Sequence, residues 1–76
     1  MQYLKFGKFV KNKRKALLSK ISLNSFAIEN DIDPATLSRI ENEKQGISLK
    51  LLSKIAKGFN QTGSSLLLEY EKLYKE

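Results

Sequence analysis

One device for starting a helix occurs three times between Ile21 and Leu52, and it constrains the fold more than any other feature of the chain. Each copy has an apolar residue, then a residue able to cap, then a second apolar residue four positions after the cap. Ile21, Ser22 and Phe26 make the first copy, Ile32, Asp33 and Leu37 the second, and Ile47, Ser48 and Leu52 the third. The capping oxygen accepts a free amide hydrogen of the first turn, and the apolar pair closes over it as a staple. Pro34 follows Asp33 at the first helical position, where its fixed φ helps and its missing donor costs nothing. A short polar break, Asn30-Asp31-Ile32-Asp33, separates the first two starts. A helix, a tight turn and a second, presented helix follow from this spacing.

The rest of the chain reads as further helices around the same core. Phe6, Val10 and Leu17 keep helical spacing from Leu4 to Leu17, with Lys13 at the missing site, where its aliphatic stem can cover apolar surface. The connection Leu18-Ser19-Lys20 leads to a second helix over Leu23–Asn30. A third runs from Pro34 to about Asn42, and a fourth from Leu49 to Gly58 stops at Asn60, a residue suited to a left-handed turn. The fifth, from about Ser64 to Tyr74, is unusually apolar. The expectation is an all-α fold of five helices, one domain over residues 1–76, with residues 64–75 as a dimerisation helix. Phe6, Val10, Phe26, Ala27, Ile32, Leu37, Ile40, Leu52, Ile55 and Phe59 should form the core. Leu66, Leu67, Tyr70, Leu73 and Tyr74 carry more apolar surface than one side of a small core uses, so they are the expected dimer interface; the alternative is that Leu67, Tyr70 and Tyr74 only cap the core of the monomer.

With 76 residues, no cysteine and no histidine, the chain lacks disulfides, thiolate metal sites and the commonest general base. Neither a metal nor a cofactor is expected. No apolar run reaches the roughly 18 residues of a membrane span. No signal-peptide core follows Met1, so a soluble cytoplasmic protein is expected. The net charge of +6 is unevenly spread. The first twenty residues hold Lys5, Lys8, Lys11, Lys13, Arg14, Lys15 and Lys20 without an acid, whereas Ile21 to Gly46 is net acidic. Clustered bases suit a polyanion, because they release phosphate counterions on binding. A solvated lysine surface fits the charge equally well.

From Ser22 to Asn42 the sequence resembles the lambda repressor/Cro-like (Xre) helix-turn-helix family. The resemblance rests on the small Ala27, the turn at Asn30-Asp31, the apolar Ile32, and Leu37-Ser38-Arg39-Ile40-Glu41-Asn42 followed by Lys44. It extends from about Phe6 to Leu68. The chain departs from the family pattern at Asp31, where Gly is usual, at Leu23, often a phosphate-contacting Gln, and in a longer connection over Ala16–Ile21. The resemblance implies a buried ion pair between Arg14 and Glu41; from the residues alone Arg14 could equally be a surface base. It also implies double-stranded DNA as partner, read in the major groove by the helix from Pro34.

On that helix Pro34, Ala35, Ser38 and Arg39 face away from Leu37 and Ile40, and with Thr36, which could reach a base edge or a phosphate, they are the candidate base contacts. Arg39 can donate two hydrogen bonds to guanine O6 and N7, whereas Pro34 and Ala35 offer only apolar contact, for example with a thymine methyl. Ser22 and Leu23 at the start of the second helix, with Asn42, Lys44, Gln45, Ser48 and Lys50, are the candidate phosphate contacts.

The implied function is a bacterial or phage transcriptional regulator, associated with the nucleoid, that binds a palindromic operator as a homodimer. A repressor, a Cro-like switch and a restriction–modification controller protein all fit. A second class is an antitoxin or other protein-interaction module, for which the last helix could serve. An enzyme has little support: the carboxylates are explained by turns and surface, and no nucleophile and base are paired without His or Cys.

Overall fold

The computed structural model describes residues 5–74 and is all-helical over them. Five helices follow in order: α1 (Phe6–Lys15), α2 (Leu23–Glu29), α3 (Pro34–Glu41), α4 (Leu49–Gly58) and α5 (Gly63–Leu73). Leu4, expected in α1, and Lys75, expected in the last helix, lie outside the described residues. α3 packs on both α1 and α2, and α4 packs on α5. α3 is therefore held from behind by two helices.

The starts are capped largely as the residue types demand. The hydroxyls of Ser22 and Ser48 each accept a backbone N–H three residues on, at 3.1 Å, and Thr62 does the same for α5. Asp33 departs from expectation. It occupies the cap position of α3, but its carboxylate makes no bond to the backbone. It accepts the Thr36 hydroxyl instead, at 3.3 Å. The ends of α2, α3 and α4 share one solution as well. Asp31, Glu43 and Asn60 take φ values of 58°, 61° and 58°, and each lets the chain close back on the finished helix. After α2, Ile32 N–H reaches Ala27 O at 2.8 Å; after α3, Lys44 N–H reaches Arg39 O at 2.7 Å; after α4, Gln61 N–H reaches Ala56 O at 2.9 Å. These are the closures of a left-handed C-terminal cap, made without glycine.

The core holds nine of the ten expected residues; the tenth, Phe59, is half-buried at its edge with its ring 5.0 Å from that of Phe26. Phe9, Ala56, Leu66 and Tyr70 join it. Leu66 and Tyr70 correct the reading of α5 as an interface. Four residues apart, they share one face of the helix, and that face is inside, at 0% and 6% exposure. The ring of Tyr70 meets those of Phe6 and Phe9 edge-on at 5.3 and 5.6 Å, and Tyr74 lies 6.3 Å from Phe9. α5 is thus fastened to α1 by aromatic contacts. Lys13 adds a polar fastening. Its ammonium sits 5.2 Å from the centre of the Phe59 ring and donates to Glu69 at 2.8 Å.

Arg14 and Glu41 form a buried pair between α1 and the end of α3. Arg14 Nε and Nη2 donate to the two Glu41 oxygens at 2.8 and 3.0 Å. Nη1 donates to Ile21 O at 3.0 Å, which ties down the long α1–α2 connection. The hydrogen bonds from Arg14 to Glu41 raise the Arg14 pKa and outweigh the opposing effect of burial, so the guanidinium stays charged. Two turns before, α1 passes so close to α3 that a Cβ on Gly7 would overlap the carbonyl of Ile40.

Changing Glu41 to Ala should cost about 3–5 kcal/mol, because Arg14 keeps its charge inside without a partner. Replacing both residues by apolar ones of similar volume should recover most of that stability, as read by urea denaturation. A second expectation concerns acid. The Lys13 hydrogen bond, followed by that from Gln61 Nε2, lowers the Glu69 pKa against the effect of burial. A lowered carboxylate stabilises the fold above its unfolded value, and the contribution disappears as pH falls through the folded one. Wild type should therefore exceed Glu69→Gln in stability near neutrality, and the difference should close between about pH 5 and 3. A gap of constant size across that range would show that the ion pair contributes nothing through ionisation.

Candidate nucleic-acid interface

The outer side of α3 follows from what its inner side buries. Leu37, Ile40 and Glu41 point into the core, and at 3.6 residues per turn Ala35, Ser38, Arg39 and Asn42 fall on the other side. Ala35, Arg39 and Asn42 are exposed, while Pro34, Thr36 and Ser38 are less so. Of the candidate base contacts, Ala35, Ser38 and Arg39 therefore share one surface, with Ala35 and Arg39 at its crest, and Pro34 and Thr36 lie at its two flanks.

These side chains are not independent. Arg39 Nε donates to Gln45 Oε1 at 2.7 Å, and its Nη2 donates to the Thr36 hydroxyl at 3.2 Å. Thr36 in turn donates to Asp33. Asp33, Thr36 and Arg39 are spaced three apart, so each lies one turn above the last, and this half of the array was open to reading from i, i+3 spacing. Gln45 was not, because it comes from the loop after α3. The left-handed turn at Glu43 brings that loop back over the helix. Glu43 is itself anchored: its Oε2 accepts Lys8 N–H, in the first turn of α1, at 2.9 Å. The loop between α3 and α4 thereby caps α1, whose own preceding residue, Lys5, gives no side-chain cap.

The candidate phosphate contacts lie around this crest. Lys44, Gln45, Ser48 and Lys50 are exposed along the loop and the start of α4. Ser22 is exposed; Leu23 is half-buried against the core, so it offers a phosphate only its backbone N–H. Asn42 turns back on its own helix and donates to Ser38 O at 2.9 Å. Lys54 is drawn away from this surface to Asp31 O, at 2.8 Å. Among the described residues, no group of three acidic side chains converges on a possible metal site.

A short helix buttressing a second across a tight turn, with the second held from behind and its polar face outward, defines a helix-turn-helix DNA-binding regulator. A helix-turn-helix family profile matches residues 10–66. The chain belongs to the lambda repressor/Cro-like helix-turn-helix family of transcriptional regulators. Among known proteins it is similar to Control protein C.MunI of a Mycoplasma species, with 39% identity over 69 residues, 91% of this chain and 92% of that one. No solved structure matches the chain. No helix among the described residues is long and apolar enough to cross a membrane.

Proposed function

We propose that this regulator binds a palindromic operator as a symmetric homodimer, with α3 of each subunit in the major groove, in the cytoplasm and on the nucleoid. The observation that carries the reading is Arg39. It is the long donor on the exposed face of α3, and its hydrogen bonds go to neutral oxygens, so its charge remains for DNA. Guanine O6 and N7 are the acceptors such a guanidinium meets in bidentate fashion. Lys44 and Lys50 flank it as phosphate contacts, with the amides at Ser22 and Leu23 on the other side. The near full-length likeness to a protein named for control supports a controller role within a restriction–modification system over the antitoxin alternative.

The dimer surface is α5, in a form adjusted by its packing. With Leu66 and Tyr70 committed to the core, Leu67 and Tyr74 lie seven residues apart along one stripe, and exposed Leu68 widens it. Leu73 projects well around the helix from Leu67 and falls at the rim. Leu68→Asp should give a folded monomer in sedimentation at high micromolar concentration, and Leu73→Asp a smaller effect. Tyr70→Asp should unfold the chain rather than split a dimer. A wild type that sediments as a monomer with and without DNA would refute the assembly.

The operator is found by selecting wild-type binding sites from random duplex DNA. Arg39→Ala should then cost about 1–3 kcal/mol per subunit and relax preference at one base pair of each half-site. Lys44→Ala or Lys50→Ala should weaken all sequences nearly alike, and the salt slope should fall by about one for each phosphate that is no longer neutralised. If Arg39→Ala weakened operator and scrambled DNA equally, Arg39 would be a phosphate contact. A wild type without sequence preference would favour the protein-interaction class.

A further inference from the structure

The geometry points to Gln45 and Thr36 as positioning residues that hold Arg39 ready for its base pair, rather than as DNA contacts themselves. The inference rests on the reading of Arg39 as the base-contacting donor. Arg39 has five N–H donors in a planar fork. The structure occupies Nε with Gln45 at 2.7 Å and one hydrogen of Nη2 with Thr36 at 3.2 Å. Nη1 and the second hydrogen of Nη2 remain along the outer edge of the fork, the pair that an end-on bidentate contact to guanine uses.

The chemistry of the two braces matters as much as their positions. Both are neutral acceptors, so they orient the guanidinium without cancelling its charge. The nearby acids are engaged elsewhere: Asp33 with the Thr36 hydroxyl, Glu43 with the Lys8 amide and Glu41 with Arg14. Each brace is fixed in turn. Thr36 is held by Asp33, and Gln45 stands two residues beyond the left-handed Glu43 that is tied to α1. A long side chain gives up rotamer freedom on engaging a base, and one already held gives up less. On this account, part of the discrimination at the Arg39 base pair is set by a loop residue that never touches the base.

The test compares Gln45→Ala, Gln45→Glu, Arg39→Ala and the double variant Gln45→Ala/Arg39→Ala. Each is titrated against the selected operator and against operators changed at the pair that Arg39→Ala relaxes, at several salt concentrations. Thermal unfolding by circular dichroism confirms that these exposed substitutions leave the fold intact. Gln45→Ala should lower discrimination at that pair about two- to tenfold, the factor that ordering one long side chain imposes, and leave the salt slope unchanged. The double variant should discriminate no less than Arg39→Ala alone, because a brace has no effect without the group it holds. Gln45→Glu keeps an acceptor for Nε and should retain the preference, while weakening all sequences through repulsion of phosphate. If Arg39→Ala relaxes a base pair but Gln45→Ala keeps full preference, lowers the salt slope and adds to Arg39→Ala, Gln45 is a phosphate contact and the brace is refuted alone. If Arg39→Ala relaxes no base pair, the base-reading assignment falls and takes the brace with it.

Discussion

The salt bridge between Arg14 and Glu41 is the interaction on which the presentation of α3 depends. Glu41 is the last residue of α3, and its carboxylate is turned inward by two hydrogen bonds from α1. That fixes the rotation of α3 about its own axis, and so decides which side chains reach the surface. Such a pair is costly to bury, and it is worth keeping only when both ions are fully bonded. Here the third Arg14 contact goes to a backbone carbonyl rather than to empty space. The close passage at Gly7 complements this, since contact near the backbone leaves α3 little room to roll. Orientation of the outer face is therefore set from the inner one.

Much of this architecture is legible in the residues. The three cap-and-staple starts place α2, α3 and α4 nearly to the residue, because a side-chain cap and its staple are local and depend on spacing alone. The resemblance to known helix-turn-helix proteins supplies the Arg14–Glu41 pair, which spacing could not. The face of α3 is also readable, since Leu37 and Ile40 fix what lies opposite them. Asp33 shows the limit of local rules. Its type and position both suit a cap, yet a hydroxyl one turn away competes for the same carboxylate.

What escapes the sequence is mostly long-range. Phe9 does not stand out in α1 because Phe6 and Val10 already satisfy the spacing, and only its contacts with Tyr70 and Tyr74 show why it is inside. Leu66 and Tyr70 look like surplus apolar residues for the same reason: a count of apolar positions on α5 does not reveal how many rings α1 brings to meet them. The link from Glu43 to Lys8 spans 35 residues and leaves no local trace. Gln45 belongs to this group too, since its approach to Arg39 depends on a left-handed turn at a residue that is not glycine.

The attachments of α1 have a geometric consequence. On one side α1 is joined to α3 through Gly7 and Arg14; on the other it is joined to α5 through Phe9 and Lys13. In a dimer closed by α5, one path from one reading head to the other would run through both copies of α1, alongside the one through α4, which packs on α5. The first helix would then be part of the gauge of the assembly. Its thickness and tilt would contribute to the separation between half-sites that the two subunits can span without strain.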